Sequence, residues 1–355
     1  MRRRWRLPAL LLAAAAGLAS CSTLNYYAHL GRGQWQVLNA REPIDRILAD
    51  PQRDPELRRR LSLALAARDY ASQRLGLPAN GSYRRYADLG RPYVVWNVFA
   101  APELSLQPLE HCFPIAGCVA YRGYYSEAEA RAEALRLQAQ GYETHIGGVP
   151  AYSTLGWFDD PLLNTMLRWD DDRLLETLFH ELAHQQVYLP GDTAFNESYA
   201  SFVGEQGLRE WRAARGQPAE GSLALQREAG FVALLSATRE RLEAGYASAA
   251  DDDARRAAKA AAFAQLAQDY AALKAGWNGW GGYDRFFATP MNNAKLLPFA
   301  LYNQHLAAFA ALFAREGGDW PRFHAAVAAL AAQPAEARGR ALAALTAAPG
   351  VADAG

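Results

Sequence analysis

A His-Glu-x-x-His motif at positions 180–184 constrains this chain more than any other feature. The motif lies in an uninterrupted stretch with helical spacing of apolar residues, so His180 and His184 stand one turn apart on the same face. Two imidazoles at this spacing can bind one zinc ion, and a glutamate beside the first histidine can accept a proton from water. The pattern therefore predicts a zinc-binding helix with Glu181 as its general base.

A third metal ligand is expected soon after this helix. Residues 189–192 read Leu-Pro-Gly-Asp, which is typical of a turn and allows a second helix to return toward the histidines. A catalytic zinc ion has three protein ligands and one open position. Glu197 is therefore predicted as the third ligand. Asp192 is the alternative ligand, although a turn or helix-capping role also explains that aspartate.

The first twenty residues have the pattern of an export signal. Four arginines among the first six residues precede an apolar run, residues 7–18, that is too short to span a bilayer. Leu-Ala-Ser-Cys at 18–21 resembles the lipobox of bacterial lipoproteins, in which the cysteine becomes the lipidated first residue. The sequence thus predicts a signal peptide at 1–20 and a lipid on Cys21. An ordinary signal peptide with an incidental cysteine is the alternative.

A lipid on Cys21 would hold the protein to a membrane of the bacterial cell envelope, facing the periplasm. Ser22 favours the outer membrane by resemblance to other bacterial lipoproteins. An exported chain also exposes Cys112 and Cys118 to an oxidising compartment, so a disulfide bond between them is expected. A metal site made from these two cysteines and His111 is the alternative.

Charge excludes one class of partner. The chain has 37 basic and 37 acidic residues, and no basic run follows the export signal. Nucleic-acid binding is therefore not expected.

Periodicity predicts an α+β fold that is predominantly α-helical, with a small β-sheet. The predicted strands are Tyr93–Phe99, Tyr142–Ile146 and Val149–Thr154, and the predicted helices are 40–77 with a break near 53–55, 126–140, the two metal helices, 223–246, 252–273, 296–316 and 320–332. We predict one metallopeptidase unit at 21–355. It comprises a mixed α/β part at 21–150, a mainly helical zinc-binding part at 151–335 and a peripheral tail at 336–355.

The motif at 180–184, taken with Asn196 and Glu197, resembles the gluzincin metallopeptidases, whose second motif is commonly Asn-Glu on the next helix. The chain looks closest to a bacterial family of predicted aminopeptidases. That resemblance covers most of the mature chain, including 86–92, 95–98, 117–124 and 151–158. It implies a gluzincin-like core and zinc-dependent hydrolysis of N-terminal peptide bonds. One departure is that only twelve residues separate His184 from Glu197, which affects the expected shape of the substrate cleft.

The resemblance implies further site residues. Gluzincin aminopeptidases use a tyrosine from a later helix to stabilise the oxyanion, and Tyr302 is the candidate here, with a half-buried helix aromatic as the alternative. Asn292 and Asn293 either bind substrate or cap that helix. Residues 156–160 resemble a distant variant of the Gly-x-Met-Glu-Asn amine-binding motif, which makes Asp159 and Asp160 candidates to hold the substrate amine.

The alternative role for the two aspartates is structural. Asp159 or Asp160 instead caps a helix through 162–167. If the amine-binding role holds, Val149–Thr154 is the edge strand along which the peptide pairs.

Three functions remain open from the sequence. The leading one is a lipid-anchored aminopeptidase with one zinc ion and a peptide substrate. The second is a zinc endopeptidase with the same mechanism. The third is a non-catalytic envelope lipoprotein that binds zinc, against which Glu181 argues, because a structural site has four protein ligands and needs no general base. The oligomeric state stays undetermined.

Overall fold

The structure is a computed structural model that describes residues 24–113 and 117–347. The predicted signal peptide and Cys21 lie outside the described residues. Within them, the prediction of an α+β fold with predominantly helical content is confirmed.

Helices form most of the fold. The helices are α1 (24–39), α2 (Ile44–Ala49), α3 (Pro55–Arg74), α4 (Glu127–Gln138), α5 (Asp171–Gln186), α6 (Thr193–Ala213), α7 (Leu223–Ser248), α8 (Asp252–Gly276), α9 (Asp284–Phe287), α10 (Asn293–Asn303), α11 (Leu306–Arg315), α12 (Trp320–Ala331) and α13 (Ala335–Ala347). Many begin after a polar side chain that accepts a hydrogen bond from a backbone N–H in the first turn. These N-caps are Asp54, Ser126, Asp170, Asp192, Ser222, Asp251, Asn292 and Asp319.

Among the described residues, the strands make three small sheets. They are β1 (Arg41–Pro43), β2 (Arg85–Ala87), β3 (Val95–Pro102), β4 (His111–Phe113), β5 (Gly117–Val119), β6 (Tyr121–Tyr124), β7 (Tyr142–Val149) and β8 (Leu162–Leu163). The strand orders are β1-β2-β8, β6-β3-β7 and β4-β5. In the second sheet β3 is central and antiparallel to both neighbours, with Trp96 opposite Tyr124 and Val98 opposite Ile146.

The strand predicted at Val149–Thr154 is wrong. β7 is one continuous strand that ends at Val149, and residues 150–154 have no regular secondary structure. Pro150 has no N–H to donate to a sheet, so the pairing stops there. The peptide-pairing edge that this strand was expected to supply is therefore absent from 150–154.

The helix expected through 162–167 is also wrong. Leu162 and Leu163 form β8, which pairs in parallel with β2, and only a 3₁₀ turn at Met166–Arg168 follows. Both leucines are buried, and a short apolar run of this kind does not distinguish strand from helix. Neither Asp159 nor Asp160 therefore caps a helix at this position.

Two further differences concern the C-terminal part. The helix expected at 296–316 is two helices, because α10 ends at Asn303 and α11 begins at Leu306. The tail expected to be peripheral contains α13, which packs against α11 and buries Leu342 in the main core.

One hydrophobic core runs from Val37 in α1 to Leu342 in α13, so it includes both the mixed and the helical part of the chain. α5 and α6 pack against each other at its centre, with α3 on α5 and with α10 and α11 on α6. Phe179 and Phe195 are fully buried in this core. The two helices that carry the sequence motifs thus lie inside the main core, between α3 on one side and α10 and α11 on the other.

One helical stretch, Asn293–Arg315, is long and apolar enough by length and composition to cross a membrane. Core helices pass the same test, and Leu297, Phe309 and Leu312 of this stretch are buried inside the protein.

Candidate metal centre

The side chains of His180, His184 and Glu197 converge at one point. The two histidine Nε2 atoms are 3.2 Å apart, and Glu197 Oε2 lies 3.3 Å from Nε2 of His180 and 3.6 Å from Nε2 of His184. All three ligand atoms lie within 4.8 Å of one another, so the group could hold a metal ion.

α5 presents the two histidines because its other side is apolar. Leu178, Phe179 and Leu182 are fully buried against the core, which fixes the rotation of the helix. The helix begins where Asp170 accepts a hydrogen bond of 2.9 Å from the backbone N–H of Arg173. Packing on one side and capping at the start thus direct the His180 face toward α6.

The Asn196 side chain stabilises the short loop between α5 and α6. Its side-chain Oδ1 accepts a hydrogen bond of 2.8 Å from the Leu189 N–H, and its Nδ2 donates one of 2.7 Å to the Leu189 carbonyl. This pair of bonds clamps the loop onto the first turn of α6. Glu197 then follows on the side that faces the histidines, with only 8% of its surface exposed.

Asp192, the alternative third ligand, does not join the group. Its carboxylate accepts a hydrogen bond of 3.0 Å from the Phe195 N–H. It also forms an ion pair with Arg338 at 2.8 Å. It therefore caps α6 and ties α13 to the start of that helix.

Cys112 and Cys118 form a disulfide bond between β4 and β5. The hairpin packs against the loop that joins the two metal helices. Gly117 has a positive φ of 74°, and a Cβ at that position would overlap the backbone of Gly191. Glycine is required here because the two backbones are in contact.

Burial and the charges within the group together determine the pKa values of its members. Burial raises the pKa of Glu197, but the two histidines outweigh burial and hold that pKa well below its usual range. Burial lowers the pKa of His180, whereas the charge of Glu197 outweighs burial at His184 and raises that pKa. Burial, together with the charges of Glu197 and Asp160, raises the pKa of Glu181 to about 8, against His184.

Tyr302 lies against the metal group. Its ring is stacked on the His180 imidazole, with ring centroids 5.8 Å apart and planes 20° apart. Ser198 holds this arrangement, because its hydroxyl donates to the Leu301 carbonyl at 3.2 Å and accepts from the His305 N–H at 3.1 Å. The residue after Glu197 thus anchors the segment that carries Tyr302.

Sequence reasoning missed three other tyrosines near the site. Burial and then the charge of Glu197 raise the pKa of Tyr121, on β6, and of Tyr188, in the loop after α5. Tyr83 has a fully buried hydroxyl without a hydrogen-bond partner and a positive φ of 62°, and Glu181 is the charge that raises its pKa most after burial. A strained, buried tyrosine beside a carboxylate has no periodic signal in a sequence with 17 tyrosines.

The two aspartates of the proposed amine site differ. Asp159 is exposed, whereas Asp160 is 3% exposed and accepts hydrogen bonds from the backbone N–H and hydroxyl of Thr154 and from Gln185. Burial raises the pKa of Asp160 to about 6, although these hydrogen bonds oppose the shift. Gln185 is one turn after Glu181 on α5, so Asp160 is the aspartate on the Glu181 side of that helix.

Asn292 and Asn293 have structural roles. Asn292 caps α10 by accepting a hydrogen bond of 3.0 Å from the Lys295 N–H. Asn293 is fully buried, its Nδ2 donates to three backbone carbonyls and its Oδ1 accepts from Tyr246. These bonds occupy the polar atoms of the Asn293 side chain.

Comparison with known proteins adds one finding. A family model described as "Putative aminopeptidase" matches residues 25–342. No curated protein and no solved structure matches the chain. Because the match extends from α1 into α13, it contains the whole metal group together with Tyr302 and Asp160. The chain belongs to this putative aminopeptidase family.

Proposed function

We propose that this protein is a zinc-dependent aminopeptidase of the gluzincin type that is anchored to the bacterial cell envelope by a lipid on Cys21. The observation that carries the proposal is the convergence of His180, His184 and Glu197 beside Glu181 on two packed helices. The family description supports a peptidase that acts on N-terminal residues.

The residues present suit a zinc ion. Two imidazole nitrogens and one carboxylate oxygen are the ligand set of a catalytic zinc site with a fourth position open. Glu197 Oε2 is buried and lies 3.3 and 3.6 Å from the two histidine Nε2 atoms without a well-formed hydrogen bond, and a bound cation would satisfy it. A buried carboxylate oxygen that lacks a well-formed hydrogen bond suits a cation. This favours a metal site over a simple cluster of polar side chains.

A zinc ion held there would supply Lewis acidity, which favours ionisation of water and polarises the scissile carbonyl. Glu181 accepts the proton of the attacking water and delivers it to the leaving amine. The Tyr302 hydroxyl, on a ring stacked over His180, donates a hydrogen bond to the oxyanion that develops on the carbonyl oxygen.

The surrounding charge favours a substrate with a free amine. Burial and carboxylate neighbours raise the pKa values of Glu181 and Asp160, and among the strongest influences on Glu181 the only opposing one is His184. A substrate ammonium brought beside these carboxylates would relieve their mutual repulsion. This argument supports an aminopeptidase over an endopeptidase.

The deciding experiment combines metal analysis with a substrate panel. Purified protein should contain one equivalent of zinc and should hydrolyse amino-acid amides. Matched peptides with free and N-acetylated termini separate the two peptidase classes, because only an endopeptidase accepts the blocked form equally well. Protein that is folded and zinc-loaded but inactive on every peptide would favour the non-catalytic alternative.

A further inference from the structure

We propose that the exposed face of α1 lies flat on the surface of a phospholipid bilayer and orients the protein there. This inference extends the proposed lipid anchor, because Leu24 on α1 follows Cys21 by three residues. We call the face formed by Leu24, Tyr27, Ala28, Gly31 and Trp35 the α1 ridge.

The α1 ridge is one stripe of the helix. Its members follow the i, i+3, i+4, i+7, i+11 pattern of a helix face, so they share one side of the helix. Leu24 is 65% exposed, Tyr27 41% and Trp35 64%, and a Cβ added at Gly31 would contact nothing within 4 Å. The opposite side of α1 is buried on the protein.

Contacts on that buried side fix which face points outward. Tyr26 packs on Tyr124 and donates a hydrogen bond of 3.0 Å to the Gly123 carbonyl, and Val37 is fully buried. Gly33 approaches the Tyr125 ring so closely that no side chain has room there. The helix cannot rotate to hide the α1 ridge without breaking these contacts.

The composition of the α1 ridge matches a membrane interface. It contains no acidic residue, and Arg32 lies exposed beside it. Tryptophan and tyrosine are the residues that favour the headgroup region of a bilayer, and an arginine beside them attracts anionic lipids. A one-sided apolar stripe on a helix that is packed against protein suits a surface position and not a spanning one.

A second pair of exposed apolar side chains, Trp157 and Phe158, is on a loop that is hydrogen-bonded to α1 and β1. Of the nine large apolar side chains that are exposed among the described residues, Trp157 and Phe158 are two, and three others are on the α1 ridge. Two hydrogen bonds connect the loop that carries Trp157 to the N-terminal part of the chain. The Tyr152 hydroxyl donates to Gln34 in α1, and the Arg41 side chain in β1 donates to the Asp159 carbonyl. Five of these nine side chains are therefore on α1 or on a loop that is hydrogen-bonded to α1 and β1.

The start of α1, close to Cys21, favours a bilayer as the partner of the α1 ridge. A lipid on Cys21 would place the first turn of α1 at the membrane surface, since three residues span at most about 11 Å. The stretch from Leu24 to Trp35 is roughly 17 Å long, so the α1 ridge can follow the interface along its full length.

The test uses the full mature protein, reconstituted in vesicles of phosphatidylethanolamine and phosphatidylglycerol with either ordinary or brominated acyl chains. Bromine quenches tryptophan emission at short range, so emission should be lower in the brominated vesicles. Trp35→Phe should remove the larger share of this difference while keeping an apolar ridge. Trp280→Phe is the matched control, because Trp280 is also exposed but lies beside Arg227 on a different part of the surface.

A charge change tests the contact itself. Gly31→Glu should reduce quenching, whereas Gly31→Gln, which has the same size without the charge, should keep it; both fit because the position is open. Equal emission in both vesicle types, or a Trp35→Phe protein with an unchanged difference, would overturn the inference. Trp35 emission that resists both brominated lipid and acrylamide would assign the α1 ridge to a second copy of the chain instead.

Two parallel measurements separate this inference from the proposed anchor and activity. The mass of the N-terminal fragment shows whether Cys21 carries a lipid, and hydrolysis of amino-acid amides in detergent reports the peptidase. Lipidated, active protein without quenching would remove only the inference. Unlipidated protein that is still quenched would retain the inference and remove the anchor, and unlipidated protein that does not bind vesicles would remove both.

Discussion

The Tyr302 ring lies nearly parallel to the His180 imidazole, with centroids 5.8 Å apart. Tyr302 is on α10 and His180 is on α5, and Ser198 of α6, the helix packed against α5, holds the end of α10 through hydrogen bonds to Leu301 and His305. A change that keeps the ring and removes the hydroxyl therefore separates packing from catalysis.

Tyr302→Phe should retain zinc and folding but lose turnover. The phenylalanine ring can still stack on His180, whereas the donor to the oxyanion is gone, and removal of one such donor costs about 10²–10³-fold in kcat. Tyr246→Phe, which removes a hydroxyl bonded to Asn293, is the matched control and should keep normal turnover. Unchanged kcat in zinc-loaded Tyr302→Phe protein would exclude the proposed role.

His184→Ala and Glu197→Ala should each lower bound zinc from one equivalent to a small fraction, because each removes one of three ligand atoms. Asp192→Asn should retain the metal, since asparagine still caps α6. Metal analysis after dialysis measures all three. If Asp192→Asn lost the metal while Glu197→Ala kept it, the loop aspartate and not Glu197 would be the ligand.

Glu181→Gln should bind zinc normally and lose about 10²–10⁴-fold in kcat, the usual cost of a missing general base. The amide preserves the size of the side chain and leaves the ligands unchanged. Steady-state hydrolysis of an amino-acid amide, normalised to bound zinc, gives the ratio. A verified sample with near-normal turnover would contradict the assignment of Glu181.

Asp160→Asn should weaken hydrolysis of peptides with a free amine more than hydrolysis of N-acetylated peptides. The reason is that the carboxylate beside the Glu181 side of α5 attracts the substrate ammonium. Asp159→Asn tests the neighbouring candidate, which is exposed. Selective loss in Asp159→Asn alone would transfer the amine-binding role to that residue, and equal loss on both peptide types would remove the exopeptidase argument.

Asp160 should also impose a pH dependence on stability. Its pKa in the folded protein is about 6, above the ordinary value of 3.8, so the folded state favours the protonated carboxyl. This contribution is complete below about pH 4 and is lost as pH rises through 6, by roughly 3 kcal/mol for a shift of about two units.

The measurement is the free energy of unfolding by urea at pH 4.5 and 7.5, with a chelator present so that metal release does not contribute. Raising the pH from 4.5 to 7.5 should lower the free energy of unfolding of the wild type more than that of Asp160→Asn. Asp159→Asn, a change at an exposed side chain, controls for general charge effects. A pH-independent difference would contradict the prediction.

The metal helices could be predicted from the sequence because their information is local. A four-residue spacing places His180 and His184 on one face, and the turn at 189–192 limits where the chain can return. The clamp that Asn196 makes on Leu189 was not anticipated, although the Asn-Glu pair was recognised. Local spacing reveals which residues meet but not the side chains that hold the turn.

Of the other tyrosines at the site, Tyr83, Tyr121 and Tyr302 are distant from α5 and α6 in the sequence, whereas Tyr188 lies in the loop between these helices. Tyr302 was suggested only by resemblance, and Tyr83, Tyr121 and Tyr188 were not singled out. They reach the site through sheet pairing, loop packing and the α6 contacts of α10, none of which leaves a periodic pattern. Residues 162–163 carry no local signal that distinguishes a strand from a helix. Their conformation depends on parallel pairing with β2.

The Ser198 connection has a consequence for how the protein matures. All three candidate ligand atoms belong to residues 180–197, so a nascent chain that has folded through α6 already contains the complete set of candidate ligands. Tyr302 arrives only when α10 docks on α6 through Leu301 and His305. If the proposed function holds, metal content would report the assembly of α5 and α6, and peptidase activity would report the later docking of α10.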